Sequence, residues 1–361
     1  MSGALDRFEE ITIDGTRLTR KQSIEHFTAL TVSNSEDRVW ATSVVKTLND
    51  LGNNAGLHAQ TSGTTGPPKQ FTIPPADLVA SAQITAATFN LHTGDRVLHC
   101  LPSDFVAGKM MLVRGFVLGL DLHVIDPRGS VLEHLNTNDR FRFSAMVPLQ
   151  LHRALQEDRA RVEAQFETIL LGGGPVSQAL IDDLQGLRAQ VHIGYGSTET
   201  VTHIAARTLN GPQRSEVFTA LGDVQFGRDP RGCLVVYTPH LSVPQHVTND
   251  IAEVIDETHF RWLGRFDNVI LSGGKKIFPE QLEAKTTNIL PYPHYFAATP
   301  DERLGQAVLL VVECPRSEAE MMQEVMPLLV GVLDPHELPR RVRAVPVFDR
   351  TTSGKVIRNR P

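Results

Sequence analysis

The 361-residue chain carries 35 Lys and Arg against 41 Asp and Glu, a formal charge of −6 with a pI near 6.2, which excludes a general electrostatic pull toward nucleic acid or an acidic membrane surface. Hydrophobic residues at 41% and charged residues at 21% exclude wholesale disorder, and the length exceeds what one hydrophobic core usually organises, so two domains are expected. Cys100, Cys233 and Cys314 are odd in number, far apart and without C-x-x-C spacing, which suits a reducing compartment and argues against structural zinc.

The N-terminus lacks a basic segment followed by an apolar run, and the greasiest stretch, 110–122, is interrupted by Arg114 and Asp121; a cytoplasmic protein without a membrane span is expected. The first chemical signal is Q-T-S-G-T-T-G-P-P-K-Q at 60–70. Gly63 and Gly66 let successive backbone N–H groups turn toward an anion, Thr61, Ser62, Thr64 and Thr65 add hydroxyl donors, and Lys69 supplies a compact charge. Two prolines separate Gly66 from Lys69, so this is not the G-x-x-x-x-G-K-[ST] phosphate loop. By composition alone such a stretch is equally a solvated linker.

From about 96 to 193, short apolar runs alternate with helix-like stretches in the rhythm of parallel β/α units, with strands expected at 97–101, 122–125, 143–147, 168–171 and 191–193. The segment L-P-S-D-F-V-A-G-K-M-M opens a helix that carries Lys109 and, five residues on, Arg114. Gly172-Gly173-Gly174-Pro175 follows a strand and precedes a helical face of Val176, Leu180, Ile181, Leu184 and Leu187. Gly194-Tyr195-Gly196-Ser197-Thr198-Glu199-Thr200 is read as a second loop after a strand: glycines for close backbone approach, a flat ring at Tyr195 for a base, and a Glu199 carboxylate suited to a hard divalent cation. Loops at the carboxyl ends of such strands are where open α/β sheets bind ligands.

Between about 223 and 260 the pattern shortens and alternates, as in a small β-rich subdomain. There Thr248-Asn249-Asp250 is expected to close a loop before a strand, with Asp250 able to accept from both hydroxyls of a ribose, or to be a plain surface turn. Gly264-Arg265-Phe266-Asp267-Asn268 marks the domain boundary, giving domains 1–266 and 267–361. The tail then shows a Gly273-Gly274 turn, a helix opened by Pro279, a strand at 307–312, a helix near 317–329 and a strand near 342–347, an α+β unit. It ends in Thr351-Thr352-Ser353-Gly354-Lys355-Val356-Ile357-Arg358.

Taken together and in this order, the loop at 60–70, G-G-G-P, Y-G-S-T-E, T-N-D, the stretch G-G-K-K-I-F-P-E and the terminal S-G-K resemble the signature motifs of the adenylate-forming superfamily of acyl-CoA ligases, adenylation domains and luciferases, from about residue 55 to the end. The resemblance implies an α/β fold: a large N-terminal adenylation domain with a parallel β/α sheet and β-rich subdomain, plus a small α+β C-terminal domain on a hinge at Asp267. It implies ATP, Mg²⁺ and CoA, with Tyr195 along the adenine, Thr198 on the phosphate, Glu199 positioning magnesium, and Asp250 with Arg265 on the ribose. Gly172 to Pro175 would flank adenine and acyl group, Gly273 and Gly274 would swing in toward the thiol acceptor, and Lys355 would reach the carboxylate. The departure is Asn249, where the family usually has glycine.

Phe105 in place of the common histidine, A-G-K-M-M-x-x-R, A-M-V-P-L-Q and T-V-T-H-I look like the o-succinylbenzoate:CoA ligases of menaquinone biosynthesis in a shortened form. Lys109, Arg114 or His203 would neutralise the spectator carboxylate of such an acid; alternatively the two cations, Lys109 and Arg114, lie on a solvated helix face. Two other readings stay open: an enzyme that loads a carrier-protein pantetheine, and a non-catalytic nucleotide-binding scaffold. A homodimer is compatible with all of them.

Overall fold

The computed structural model describes residues 4–32, 39–53, 56–60, 70–351 and 356–358. An N-terminal hairpin, β1 (Glu10–Ile13) and β2 (Thr16–Thr19), leads into helices α1 (Arg20–Val32) and α2 (Val39–Asp50). A second hairpin, β3 (Leu57–Gln60) and β4 (Gln70–Ile73), sets Gln60 opposite Gln70, so the glycine- and threonine-rich segment joins two paired strands. Then follow α3 (Pro75–Phe89), β5 (Arg96–His99), α4 (Val106–Leu118), β6 (Asp121–Val124), β7 (Phe141–Met146), α5 (Pro148–Gln165), β8 (Phe166–Leu171), α6 (Gln178–Asp183) and β9 (Gln190–Gly196).

In the order β1-β6-β5-β7-β8-β9 these strands are parallel neighbours. They are apolar on both faces because helices cover both faces. Val97, Phe143, Ala145 and Leu170 pack with Leu78, Ala82 and Phe89 of α3 and Met110 to Val113 of α4. Leu98, Met146, Ile169, Leu171 and Val191 pack with Leu151, Leu155 and Val162 of α5 and Leu180 and Ile181 of α6. All five expected strands of this region are present. The helix expected from Pro175 is shorter: Ser177 is its N-cap, accepting from the Leu180 N–H at 3.2 Å, and Gly186 at φ +79° turns the chain, so Leu184 and Leu187 are buried from turns.

Beyond β9 come β10 (His203–Thr208), β11 (Phe218–Ala220), β12 (Gln225–Arg228), β13 (Cys233–Tyr237), β14 (Gln245–Asp256) and β15 (His259–Arg265), all antiparallel to their neighbours. The β-rich part therefore does not form a sheet of its own; it extends the parallel ladder into one sheet of thirteen strands. Two expected loops are strand: Gly194 to Gly196 close β9, and Thr248 to Asp250 lie within β14, beside a register shift in its pairing with β13. Alternation reveals a strand, but ladder partners are long-range choices.

A 3₁₀ turn, Phe266–Asn268, leads to a second five-stranded sheet: β16 (Ile270–Ser272), β17 (Lys275–Ile277), β18 (His294–Asp301), β19 (Gly305–Glu313) and β20 (Arg341–Val345), with α7 (Pro279–Thr286) and α8 (Glu318–Leu329). It has its own core, including Ile270, Leu282, Phe296, Leu310, Met321 and Val325. Gly273 and Gly274, at φ +55° and +81°, make the two-residue turn that pairs Ser272 with Lys275, a conformation closed to most side chains. Ser317 caps α8 reciprocally with Glu320. Among the described residues no helix is long and apolar enough to cross a membrane.

Gly108 of helix α4 lies tight against the segment that follows β5: a Cβ there would lie 2.2 Å from the Pro102 carbonyl oxygen. Gly108→Ala is expected to destabilise the protein by about 1–3 kcal/mol through overpacking against backbone, read as a lower urea midpoint at unchanged m-value.

Candidate active site

The chain leaves β5 for β6 on one side and returns to β7 on the other, so the parallel strands switch direction of winding between β5 and β7. Ligand crevices of open sheets form outside the carboxyl ends of strands at such a point. Here that edge is closed by Gln150, whose amide donates to the Cys100 carbonyl at 2.7 Å, and by the Gly172 N–H, which donates to the Met146 carbonyl at 3.1 Å. No side-chain atom would crowd a Cβ on Gly172, and Gly173 adopts φ +77°. The G-G-G-P loop thus keeps open space above the strand ends.

The glycines beside Tyr195 have another cause. A Cβ on Gly196 would lie 2.1 Å from the Thr202 carbonyl oxygen, and one on Gly194 would lie 2.9 Å from Cβ of His203. The close approach of β10 demands them. Between them the Tyr195 ring packs edge-on to Phe218 and Phe260, and its hydroxyl donates to Oδ2 of Asp250 at 2.6 Å. Burial, with the Asp250 charge beside it, pushes the phenol well above its usual range, so it stays a donor. Arg265 meets Oδ1 of the same carboxylate at 3.2 Å, from the cross-strand position opposite Asp250. Tyr195, Asp250 and Arg265, 55 and 15 residues apart, form one connected group.

The turn after β9 stores strain. Val201, 2% exposed, has φ +66°, a left-handed conformation that a β-branched residue adopts only under constraint. Thr200 supplies that constraint: its hydroxyl accepts from the Ser197 N–H at 2.9 Å and lies within hydrogen-bond distance of the Ser197 and Thr202 carbonyls. The result presents Thr198 half-buried and Glu199 exposed at the tip, and no cation among the described residues pairs with Glu199. A free carboxylate next to a hydroxyl is a hard-oxygen donor set that suits a divalent ion such as Mg²⁺.

The two cations and the histidine expected near the acid separate into two places. Five residues along a helix is 500°, so Lys109 and Arg114 point to different sides of α4. Lys109, 5% exposed, donates from Nζ to the His58 carbonyl at 2.7 Å and secures the foot of the β3–β4 hairpin; burial lowers its pKa and Asp50 pulls it back. It does not join Arg114 and His203. Arg114, 2% exposed, donates from Nε to Thr85 Oγ1 at 3.3 Å, from Nη1 to Met111 Sδ at 3.4 Å and from Nη2 to Thr202 Oγ1 at 3.4 Å. Thr85 donates its own proton to the Ser81 carbonyl, so the long 3.5 Å contact from His203 Nε2 makes that nitrogen the donor, leaving Nδ1 to accept from Thr202 at 3.1 Å. Burial, and Arg114 alongside, hold His203 well below its usual pKa, hence neutral; burial brings the guanidinium down to about 10, hence still charged at pH 7.

Three of Arg114's five N–H donors are thus used, and no carboxylate among the described residues pairs with it. A buried charge without a counterion costs several kcal/mol, about what an arriving anion would recover. Thr85 gave no sequence signal; it is one of many threonines until the fold sets it beside α4. An open cavity of about 1160 Å³ lies elsewhere, lined by Gln190, His192, Thr168 and Phe166 near the amino ends of the parallel strands. Two of its arginines are already paired, Arg142 with Glu167 and Arg207 with Glu216, and it contains none of the expected site residues.

Thr61, Ser62, Gly63, Thr64, Thr65, Gly66, Lys69 and Lys355 lie outside the described residues. Arg358, three residues after Lys355, is held in the C-terminal unit: Nη2 reaches Glu283 at 2.6 Å, Nη1 lies 3.7 Å from Glu280, and its guanidinium sits 5.6 Å from the Tyr295 ring centre. Glu283 also accepts from the Phe296 N–H at 3.0 Å, and Glu280 accepts from Asn268 in the 3₁₀ turn. Asp267, in the same turn, accepts from Asn249 at 3.1 Å.

A family model described as AMP-binding enzyme matches residues 58–225. A probable 2-succinylbenzoate–CoA ligase of Mycobacterium tuberculosis is 28% identical over 333 residues, covering 85% of this chain and 84% of that protein. Among solved structures, an acyl-CoA synthetase (AMP-forming)/AMP-acid ligase II-like protein from Dyadobacter fermentans is 33% identical, with 91% of this chain and 95% of that one covered at a TM-score of 0.59. The O-succinylbenzoate coenzyme A synthetase of Bacillus subtilis, solved with ATP and magnesium, shares the fold at 17% identity, with 98% of both chains covered and a TM-score of 0.72.

Burial pushes the Glu283 carboxyl up to about 7 against the pull of Arg358. A folded-state pKa above the unfolded value near 4.5 means that the folded state binds the extra proton, so this group's contribution to stability is full below about pH 4.5 and is lost as pH rises toward 7. Glu283→Gln is expected to flatten that part of the stability–pH profile, measured by urea unfolding from pH 5 to 8.

Proposed function

This chain belongs to the AMP-binding enzyme family, and from that premise we propose that it is an ATP-dependent acid:CoA ligase acting through an acyl-AMP, with o-succinylbenzoate as its acid. In the first half-reaction a carboxylate oxygen of the acid attacks the α-phosphorus of ATP and the bond to pyrophosphate breaks. Lys69 and the hydroxyls of the segment before it orient the phosphates, Thr198 contacts them, and Lys355 aligns the attacking carboxylate with the triphosphate, both of which are negative. Asp250 and Arg265 take the ribose, with Tyr195 along the base and Gly172 to Pro175 beside it. Glu199 would hold Mg²⁺, which offsets the phosphate charge when bound.

In the second half-reaction the thiolate of CoA attacks the acyl carbonyl and AMP leaves. Domains 1–266 and 267–361 turn about Asp267 between the two steps, withdrawing Lys355 and bringing Gly273 and Gly274 toward the acyl-adenylate. The separate sheets and cores on either side of the Phe266–Asn268 turn support this division.

The choice of acid rests on Arg114. o-Succinylbenzoate brings one carboxylate to activate and a second to bind, and a buried guanidinium with unused donors beside a neutral His203 is matched to the second. The relative named for that acid supports the same choice.

Supplied with ATP, Mg²⁺, CoA and o-succinylbenzoate, the protein should release AMP and form the thioester; no thioester above a no-enzyme control would remove the assignment. Arg114→Ala should cut kcat/KM for o-succinylbenzoate by at least about 30-fold while changing little for 4-oxo-4-phenylbutyrate, which lacks the ring carboxylate. Lys355→Ala should suppress pyrophosphate exchange and spare thioester formation from supplied acyl-AMP; equal loss in both would refute the two-step turn.

A further inference from the structure

The 3₁₀ turn Phe266–Asn268 is the chain's passage between two separately cored units, and each of its residues is tethered. Asn268 is held by Glu280 of α7, which belongs to the C-terminal unit. Phe266 and Asp267 are held from the other side, by two residues of the β12–β15 ladder. Arg231, in the turn between β12 and β13, lies 5.3 Å from the centre of the Phe266 ring, itself 40% exposed. Its Nη1 donates to Asn249 Oδ1 at 3.1 Å and its Nη2 to the Thr248 carbonyl at 3.2 Å. Asn249 in turn donates from Nδ2 to Asp267 Oδ2 at 3.1 Å.

An amide fits between these two groups. A guanidinium offers donors alone and a carboxylate acceptors alone, so the bridging side chain must accept on one atom and donate from the other. Arg231 is itself oriented before it reaches Asn249: Asp229 accepts from its Nε at 2.7 Å and its backbone N–H at 2.8 Å, and from the Cys233 N–H at 2.9 Å. Glycine, the residue of the T-G-D pattern, would leave Arg231 and Asp267 without this bridge.

We propose that Asn249, joined to Arg231, is a positioning residue that latches the turn in the orientation seen here and so sets how readily the C-terminal unit swings between the two half-reactions. This rests on the alternating-unit reading given above. Turning about Asp267 must break the Asn249–Asp267 bond, whereas the Asn268–Glu280 bond travels with the moving unit. The latch is exposed to solvent, which makes it a bias on an equilibrium and not a lock.

Spin labels on Gln213→Cys and Glu318→Cys, both exposed while Cys100, Cys233 and Cys314 are buried, report the separation of the units. The otherwise unaltered chain should show one dominant distance. Asn249→Ala, and Asn249→Asp, which sets a second carboxylate against Asp267, should each raise the minor population by about fivefold. Unchanged distance distributions in both variants would overturn the latch, whatever the enzyme's activity. In parallel, both variants should alter pyrophosphate exchange and thioester formation from supplied acyl-AMP by unequal factors; equal factors would overturn the coupling to catalysis. If the parent chain performs neither half-reaction with any acid, the proposed function fails while the distance measurement still decides the latch.

Discussion

The seam between β9 and β10 is the constraint from which the site follows. Up to β9 the sheet is parallel and covered by helices on both faces; from β10 onward it is antiparallel. To reverse direction within six residues, the chain brings Thr202 and His203 against Gly196 and Gly194, where no Cβ can be accommodated without moving backbone. The same reversal forces Val201 into the left-handed region and lifts Thr198 and Glu199 to the tip. It also sets Tyr195 within reach of Asp250, which arrives from a strand four places along the sheet order.

Charge burial is distributed unevenly, and the unevenness has meaning. Lys109 is buried but donates a hydrogen bond to a carbonyl of the hairpin that carries the glycine- and threonine-rich segment, which makes it a support. Arg358 is balanced by Glu283 and Glu280. Arg114 meets no carboxylate among the described residues: its partners there are two hydroxyls and a thioether, neutral groups that orient a guanidinium without neutralising it. A fold keeps such a group only if something outside its own residues repays the desolvation, and the neutral state of His203 leaves that positive charge uncontested by a second one.

The two units are joined through groups of contrasting strength. On the C-terminal side, Glu280 and Glu283 are largely removed from solvent and tie the turn to α7 and to Arg358. On the other side, Asn249 and Arg231 meet the turn in solvent, where each bond contributes little and is easily exchanged for water. Motion at such a junction separates along the weaker side, so the terminal segment and the turn are expected to move together.

Local rules made much of this legible. The strands at 97–101 through 191–193 declare themselves by apolar runs, Gly273-Gly274 by the turn only glycine makes easily, and Ser317 by its capping glutamate, because each depends on neighbours within a few residues. Motif order likewise set Tyr195, Asp250 and Arg265 on one expected ligand, and the fold brings these three side chains together. What the tertiary structure decided is which of these groups meet. Thr85 and Thr202 reach Arg114 from 29 and 88 residues away, Lys109 turns instead to His58, 51 residues back, and the β-rich stretch joins the parallel sheet. Helix phase and strand register settle those pairings, and both are fixed by contacts across the whole chain.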